Sequence, residues 1–471
     1  MTNRTGRVIE LDVLRGVAIF GMVLSGSIAF GGLLPAWMYH AQVPPPLHQF
    51  EPTRAGITWV DLVFPFFLFC MGAAIPLSLH TQLERGTTRV NLLGVAGRRF
   101  FQLLFFALFS QHMKAWVLSK NPGNTDQVLS ILAFVLLFGQ LFDFKKTGVW
   151  NWLKWIKPMS YLMAGILLYR LPFHDGGGFD FYRSDIIIVV LANMAFFGTL
   201  IYLFTADHPS WRIAVLVVVA AVILSARETG DHVVKSFFNF RSIGGLTFDW
   251  AYKFYFLKYL FIIVPGSWAG ELFLKNKNES KGGMTFLLGA WSILILFLLA
   301  LLLALLFMRN QEMLCWILWL ALLLLVICRK YLLQDTSLSY VLARYGLFFL
   351  LIGLVLEPYE GGIKKDPSTF SYYFITSAYS FFGLVVIRDI VACNWTKVCW
   401  KILAGLGKNP LVAYVAGSLL LLPLFALSNV LDQWGTWAHA PWQGLLKGII
   451  FTAMVGAITL YFNQKKWIWR S

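Results

Sequence analysis

Charged residues are scarce in this sequence. They make up 13% of its 471 residues, whereas soluble domains average roughly 25%. With 58% hydrophobic residues, a soluble protein could not cover its surface with polar groups. Apolar runs close to the ~20 residues that cross a bilayer recur at residues 13–33, 57–79, 254–274, 286–307 and 313–328. The shortage of charge therefore predicts an all-α, polytopic integral membrane helix bundle.

Acidic residues and cysteines are also few. There are 23 Asp and Glu against 39 Lys and Arg, and such a basic excess can indicate nucleic-acid binding. Because no basic stripe alternates with aromatics, nucleic-acid binding is excluded. The five cysteines show no C-x-x-C spacing, so neither a disulfide framework nor a metal site is expected. The H-E-x-x-H, G-x-S-x-G and Walker patterns are missing too, which argues against a serine hydrolase or an ATP-driven pump.

Hydropathy predicts about 11 to 14 spans in a single membrane domain of residues 1–471. Candidate spans begin near residues 13, 57, 100, 127, 151, 185, 212, 254, 285, 313, 338, 372, 411 and 444. The runs near 151 and 212 are the weakest. If all 14 spans are real, the Lys and Arg clusters fall on one side, and the positive-inside rule makes that side cytoplasmic. The N-terminus is then cytoplasmic, and residues 34–56 and 227–253 form exterior loops.

The first exterior loop carries two histidines, His40 and His48, close to Glu51. Its triple proline, Pro44–Pro46, favours an extended backbone, which can hold a side chain over the mouth of a helix bundle. Histidine is the side chain whose ordinary pKa lies nearest neutrality, so it suits proton transfer. An interfacial histidine that only makes hydrogen bonds is the simpler alternative.

The second span contains an acid, Asp61, within a run of aromatic and aliphatic residues. A carboxylate in hydrocarbon is costly and usually faces a partner or a cavity. Asp61 can orient a histidine, or it can pair with Arg15 or another buried base, and both interpretations stay open. Asp12 and Arg15 share a helical face at i, i+3, which favours a local ion pair between them.

Other intramembrane polar residues are Lys258, Glu271, Arg344 and Asn409. Between the first two, Pro265 and Gly266 predict either a simple kink or an unwound turn that lines a site. Asn409 follows a basic, glycine-containing approach. It predicts either a phosphate-binding helix N-terminus or an ordinary N-cap.

Several motifs resemble one known family. The opening RVIELDVLRGVAIFGMVL is followed by GITWVDLVFPFFLFCMGAAIPLSL, and later come GSWAGELF, PSTFSYYFITSAYSFF, GKNPLVAYV and LYFNQKKWIW. Together they resemble the heparan-alpha-glucosaminide N-acetyltransferase family and its bacterial relatives. The resemblance runs almost the full length of the chain; it is strongest at the N-terminus and weaker between about residues 120 and 250.

The resemblance implies an O- or N-acetyltransferase, with acetyl-CoA as co-substrate and no metal. It would move an acetyl group from the cytoplasm to a sugar or glycan acceptor on the exterior face of a bacterial inner membrane. The family's essential histidine matches His48, with His40 as the alternative. Asp61 falls on the acid of the same motif, and Asn409 matches the polar position before the late LxxYV helix.

An acidic coenzyme requires basic groups on the cytoplasmic face. The candidates for coenzyme binding are Arg85, Arg89, Arg98, Arg99 and Lys408, together with Asn409; the basic residues can equally serve only as topology determinants. Glu51 and Lys258 are the candidates for acceptor binding. The expected partners are the lipid bilayer and a sugar or glycan acceptor, with a homodimer left open.

Two rival functions remain at this point. A polytopic transporter or flippase for an envelope or sugar-linked substrate would also use Asp61, Lys258 and a proline-broken span. A structural or assembly subunit would carry the same polar residues without using them.

Overall fold

A computed structural model describes residues 7–142, 155–228, 230–243, 245–276, 286–309, 312–332, 337–393 and 395–469. These residues are predominantly helical, so the all-α prediction is confirmed. The exception is a small hairpin in which Ser242–Ile243 pairs antiparallel with Leu246–Thr247.

The α-helices are numbered in chain order. The first ten are α1 (Ile9–Ser27), α2 (Trp59–Glu84), α3 (Arg89–His112), α4 (Ala115–Leu118), α5 (Asn124–Leu141), α6 (Ile156–Arg170), α7 (Ile186–Thr205), α8 (Trp211–Ser225), α9 (Val233–Phe238) and α10 (Leu260–Lys275). The remaining nine are α11 (Phe286–Met308), α12 (Glu312–Leu332), α13 (Leu338–Tyr359), α14 (Phe370–Ala392), α15 (Lys397–Lys408), α16 (Pro410–Ala416), α17 (Leu422–Leu427), α18 (Leu431–Thr436) and α19 (Pro441–Gln464). Short 3-10 turns cover Ala36–Met38 and Phe254–Tyr259, and a π-helical turn covers Gly417–Leu421.

Within the described residues, 11 helical segments are long and apolar enough to cross a membrane. They are α2, α3, α5, α7, α10 with its preceding 3-10 turn, α11, α12, α13, α14, the α16–α17 segment and α19. The predicted spans near residues 13, 151 and 212 correspond to α1, α6 and α8. Helix α1 carries three charged residues near its start, and α6 and α8 have 15 residues each; the predicted residues 151–154 lie outside the described ranges. The chain is an integral membrane protein with a helical bundle, as predicted.

Side-chain caps define where several spans begin. Thr88 precedes α3 and accepts the N–H of Asn91, while Asp185 precedes α7 and accepts the N–H of Ile187. A side-chain acceptor at this position satisfies a backbone donor that the helix itself leaves unpaired. Polar residues in the connecting loops therefore fix the starts of helices whose interiors are almost wholly apolar.

The chain divides into two compact units. The first comprises Met1–Thr81, Phe261–Pro410 and Ala438–Gly456, and the second comprises Gln82–Leu260, Leu411–Trp437 and Ala457–Ser471. In the second unit, α3 packs on α7 and α5 packs on α6, where Gly139 lies directly against Ser160.

Glycines let helix backbones meet in the first unit. A Cβ on Gly266 of α10 would overlap the carbonyl oxygen of Phe69 in α2, and one on Gly72 of α2 would overlap that of Ile263. Small residues allow this close approach between membrane helices. Helix α10 is continuous through Pro265, so the unwound turn that the sequence left open is not formed.

Helix α1 packs just as closely on α15. A Cβ on Gly16 would overlap the carbonyl oxygen of Leu403. The Arg15 guanidinium donates to the Gly407 carbonyl at 3.2 Å and lies 3.5 Å from Asp12. The predicted i, i+3 ion pair is therefore present, and it also ties α1 to the end of α15.

A second buried ion pair joins three helices of the first unit. Arg329 of α12 lies 3.3 Å from Asp389 of α14, and both side chains are buried. Ser292 of α11 donates its hydroxyl to the same carboxylate at 2.5 Å. Because all three groups lie inside the helix bundle, each compensates the desolvation of the others.

Candidate active site

Asp61, in the first turn of α2, binds one of the two histidines of the preceding loop. Its Oδ1 lies 2.7 Å from Nδ1 of His40. Its Oδ2 accepts the N–H groups of Ala41 and Thr58 and also the Thr58 hydroxyl, at 3.1–3.2 Å. Both kinds of partner that the sequence left open for Asp61 lie beside it, the His40 imidazole at 2.7 Å and a base, Lys365, at 3.9 Å; Arg15 instead pairs with Asp12.

The pairing fixes the tautomer of the imidazole. An ionised carboxylate only accepts hydrogen bonds, so Nδ1 of His40 carries the proton and Nε2 keeps its lone pair. The Asp61 side chain is 3% exposed, whereas that of His40 is 38% exposed. The pair therefore joins a partly exposed imidazole to a buried carboxylate.

A lysine that sequence reasoning missed completes the cluster. The loop between α13 and α14 brings Nζ of Lys365 to 3.2 Å from Nδ1 and 3.5 Å from Nε2 of His40. The same ammonium lies 3.9 Å from Oδ1 of Asp61. Burial lowers the pKa of Lys365, although the nearby carboxylates of Asp61 and Asp366 act in the opposite direction. No local pattern identifies this lysine, because 325 positions separate it from His40.

Gln42 joins the two loops that form the cluster. Its side-chain N–H groups donate to the carbonyls of Asp366 at 2.6 Å and Pro52 at 3.3 Å. Its Oε1 accepts the N–H groups of Lys365 at 3.1 Å and Asp366 at 2.8 Å. The side chain is buried, so these bonds are shielded from water. Gln42 thereby holds the backbone of Lys365 beside the loop of His40.

Further contacts anchor the same loops to their helices. Glu360 accepts the N–H groups of Phe370 at 2.7 Å and Ser371 at 2.8 Å, at the start of α14. In the same turn of α14, the Tyr372 hydroxyl donates to the backbone carbonyl of Asp61 at 2.9 Å. The first turns of α2 and α14 are therefore connected directly, and this connection supports the position of Asp61.

His48, the first candidate of the sequence for the reactive imidazole, lies outside the cluster. Its Nε2 accepts the N–H of Gly31 at 3.0 Å, and its ring packs edge-on against Phe30 and Tyr39. Its Nδ1 is buried and has no partner among the described residues. Of the two histidines of this loop, the alternative candidate His40 is the one that meets Asp61.

The two candidates for acceptor binding form other contacts. Glu51 lies 3.3 Å from Arg54, and both side chains are partly exposed. Lys258 belongs to the second unit, where it is buried and its Nζ lies 4.0 Å from the centre of the Tyr255 ring.

The six candidates for coenzyme binding are divided between the units. Arg85, Arg98 and Arg99 are exposed in the second unit, where Arg89 pairs with Asp207 at 2.6 Å. In the first unit, Lys408 is half-buried at the end of α15, and Asn409 directly after it is buried. Among the described residues, no group of three or more His, Cys, Asp or Glu side chains could hold a metal ion.

Comparison with known proteins places these motifs in a family. Residues 7–273, more than half of the chain, match the sequence model described as Domain of unknown function (DUF5009). The human heparan-alpha-glucosaminide N-acetyltransferase is 35% identical over 98 residues, which cover 21% of this chain and 13% of that protein. The mouse enzyme of the same name is 34% identical over 141 residues, which cover 29% of this chain and 19% of the mouse protein.

The matched regions thus span less than a fifth of these two relatives. The resemblance that the motifs predicted is confirmed, and the chain belongs to the DUF5009 family.

Proposed function

We propose that the protein is a membrane-embedded acetyltransferase that moves an acetyl group from acetyl-CoA to an amine or hydroxyl of a sugar acceptor. The observation that carries the proposal is the His40–Asp61 pair, with Nδ1 of the imidazole 2.7 Å from a buried carboxylate. The names of the two partial relatives supply the reaction class and the sugar.

The pair supplies a general base. Asp61 holds the Nδ1 proton, so Nε2 of His40 accepts the proton of the acceptor amine or hydroxyl as that group attacks the thioester carbonyl. A C–N or C–O bond forms and the C–S bond breaks. His40 then returns its proton to the leaving sulfur, which releases CoA and restores the neutral imidazole. The buried Asp61 carboxylate stabilises the imidazolium between the two proton transfers.

The proposal includes an orientation in the membrane. Clusters of Lys and Arg favour a cytoplasmic N-terminus in a bacterial inner membrane, with the His40 loop facing outward. Lys408, half-buried at the end of α15, is then a candidate for binding the phosphates of the coenzyme. The acceptor reaches the accessible side of His40 from the opposite face.

A pair of histidine variants tests the proposal. Protein reconstituted in liposomes receives acetyl-CoA and methyl α-glucosaminide as a probe acceptor, and acetylated sugar and free CoA thiol are measured. We expect His40→Ala to abolish transfer. We expect His48→Asn to keep it within about threefold, because Asn tolerates the left-handed backbone at this position (φ 51°). Loss of transfer in His48→Asn alone would restore the sequence-based assignment.

The same liposomes distinguish the rival function. Movement of labelled glucosaminide across the membrane without acetylation would favour a transporter and exclude the proposed reaction.

A further inference from the structure

The general-base mechanism leaves the Lys365 ammonium unused, although it lies 3.5 Å from Nε2 of His40. We propose that Lys365 is a further catalytic residue, whose ammonium donates a hydrogen bond to the thioester carbonyl oxygen and stabilises the negative charge that develops there. This inference rests on the proposed function and extends it to a third group of the same site.

The charge that requires stabilisation follows from the reaction itself. As the acceptor bonds to the carbonyl carbon, an electron pair moves from the C=O bond onto oxygen. It returns when the C–S bond breaks and the sulfur takes the proton from Nε2 of His40. A cation beside that oxygen binds the transition state more strongly than the neutral thioester, and this difference is what accelerates a reaction.

The distances place Lys365 within range of this oxygen. An acceptor atom hydrogen-bonded to Nε2 lies about 3 Å from it, and the carbonyl carbon under attack lies ~3–3.5 Å further. Nζ of Lys365 is 3.5 Å from the same nitrogen. The side chains of Lys365 and His40 are 29% and 38% exposed, so neither is sealed from solvent. Nδ1 of His40 already shares its proton with Asp61, so it offers no lone pair to the lysine.

The backbone that carries this lysine is fixed on both sides. Gln42 accepts the Lys365 N–H at 3.1 Å, and the Ser368 hydroxyl donates to the Lys365 carbonyl at 2.6 Å. A donor held in advance near the reacting oxygen needs little reorganisation during the reaction. Gln42 therefore acts as a positioning residue for Lys365.

The surroundings of the ammonium favour a substrate anion. Among the residues that the structure describes, the titratable groups facing it are His40 from the first loop, Asp61 from α2, and Asp366 from its own loop. Burial lowers the pKa of Lys365 despite the two carboxylates. The carboxylates of Asp61 and Asp366 therefore replace only part of the hydration that the ammonium loses on burial. Negative charge on the thioester oxygen would compensate for this lost hydration.

Two lysine substitutions and a neighbouring control test the proposal in the liposome assay. We expect Lys365→Met to lower kcat about 10²-fold with KM for both substrates changed less than threefold. Lys365→Arg restores part of the rate, because arginine keeps the charge and the donors. Lys364→Met removes a charge from the same loop outside the cluster and should leave kcat within twofold. A Lys365→Met enzyme with full kcat, or with a defect confined to KM, would overturn the proposal.

The pH dependence adds a readout that a purely structural role would not change. In the wild-type protein, kcat should fall on the alkaline side at a pH below the ordinary lysine pKa of ~10.4, since the lowered pKa lets Lys365 lose its proton earlier. In Lys365→Arg this fall should move to higher pH, because arginine stays protonated. An alkaline limb that is identical in the two proteins would contradict the assignment.

Chemical labelling checks the ammonium without any turnover. Acetic anhydride labelling followed by mass spectrometry gives the pH midpoint of reactivity for Lys365 and, as an internal control, for Lys364. A lower midpoint at Lys365 supports the proposal, and equal midpoints count against it.

The design also separates the two proposals. Wild-type protein that transfers no acetyl group would exclude both. Transfer that requires His40 but not Lys365 would exclude only the lysine.

Discussion

Gln42 binds the backbone of Asp366 from both sides, donating to its carbonyl at 2.6 Å and accepting its N–H at 2.8 Å. The two residues lie 324 positions apart. A single buried amide thus joins the loop of the candidate base to the loop of the candidate oxyanion donor.

Removing the Gln42 amide should uncouple these loops. In Gln42→Leu, backbone groups of Lys365 and Asp366 lose their partners, which costs about 1–3 kcal/mol for each buried group left unsatisfied. We expect a lower unfolding temperature in detergent and faster hydrogen exchange at residues 364–366. The matched control is Gln49→Leu, the same change at an exposed position of the same loop. Its free energy of unfolding should stay within about 0.5 kcal/mol of the wild-type value. Equal stability of the two variants would refute the coupling.

Asp61 should matter for catalysis through its charge. Asp61→Asn keeps the size of the side chain but lets the amide donate to Nδ1 of His40, which favours the wrong tautomer. By analogy with other Asp–His pairs, we expect kcat to fall about 10³–10⁴-fold. The rate of acetyl-CoA-dependent sugar acetylation measures this effect, with the exposed Asp432→Asn as the charge-matched control. Wild-type turnover in Asp61→Asn would show that the carboxylate does not orient the base.

The close contact between α1 and α15 should tolerate no additional methyl group. Gly16→Ala places its Cβ against the Leu403 carbonyl oxygen, and overpacking of this kind costs ~1–3 kcal/mol. Gly26→Ala, in the same helix, has open space around the new methyl group and should be neutral or slightly stabilising. Thermal unfolding of both proteins in the same detergent compares them directly. A larger loss in Gly26→Ala would contradict the observed packing.

The buried ion pair between α12 and α14 should depend on both of its partners. Arg329→Met leaves the Asp389 carboxylate buried without its cation, with the Ser292 hydroxyl as its remaining partner among the described side chains, and should destabilise the protein by about 3–5 kcal/mol. Adding Asp389→Asn removes the uncompensated charge, so the double variant should recover part of that loss. The measurement is a double-mutant cycle on unfolding temperature. Strict additivity of the two single changes would show that the groups do not interact.

The membrane fold could be predicted from the sequence because its cause is local. A helix satisfies its own backbone groups, so the length and apolarity of each run determine whether it can cross the bilayer. For this reason, 11 to 14 spans were expected, and the described part of the chain contains 11 helical segments long and apolar enough to cross a membrane. That Asp61 would have polar partners was also predictable, since an acid within an apolar run requires a partner wherever the run is buried, and His40 and Thr58 are two of them.

The composition of the site depended on tertiary structure. Either of the two histidines in this loop could supply an imidazole to Asp61. Only the path of the loop over α2 brings His40, rather than His48, to that carboxylate. Lys365 and Gln42 carried no signal in the sequence, because a lysine or glutamine in a polar loop is ordinary until a second loop packs against it. The length of each apolar run along the chain determines where a helix can span the membrane. The contacts of Gln42 with Asp366 and of Lys365 with His40 cross 324 and 325 positions, so they form only after those helices have packed.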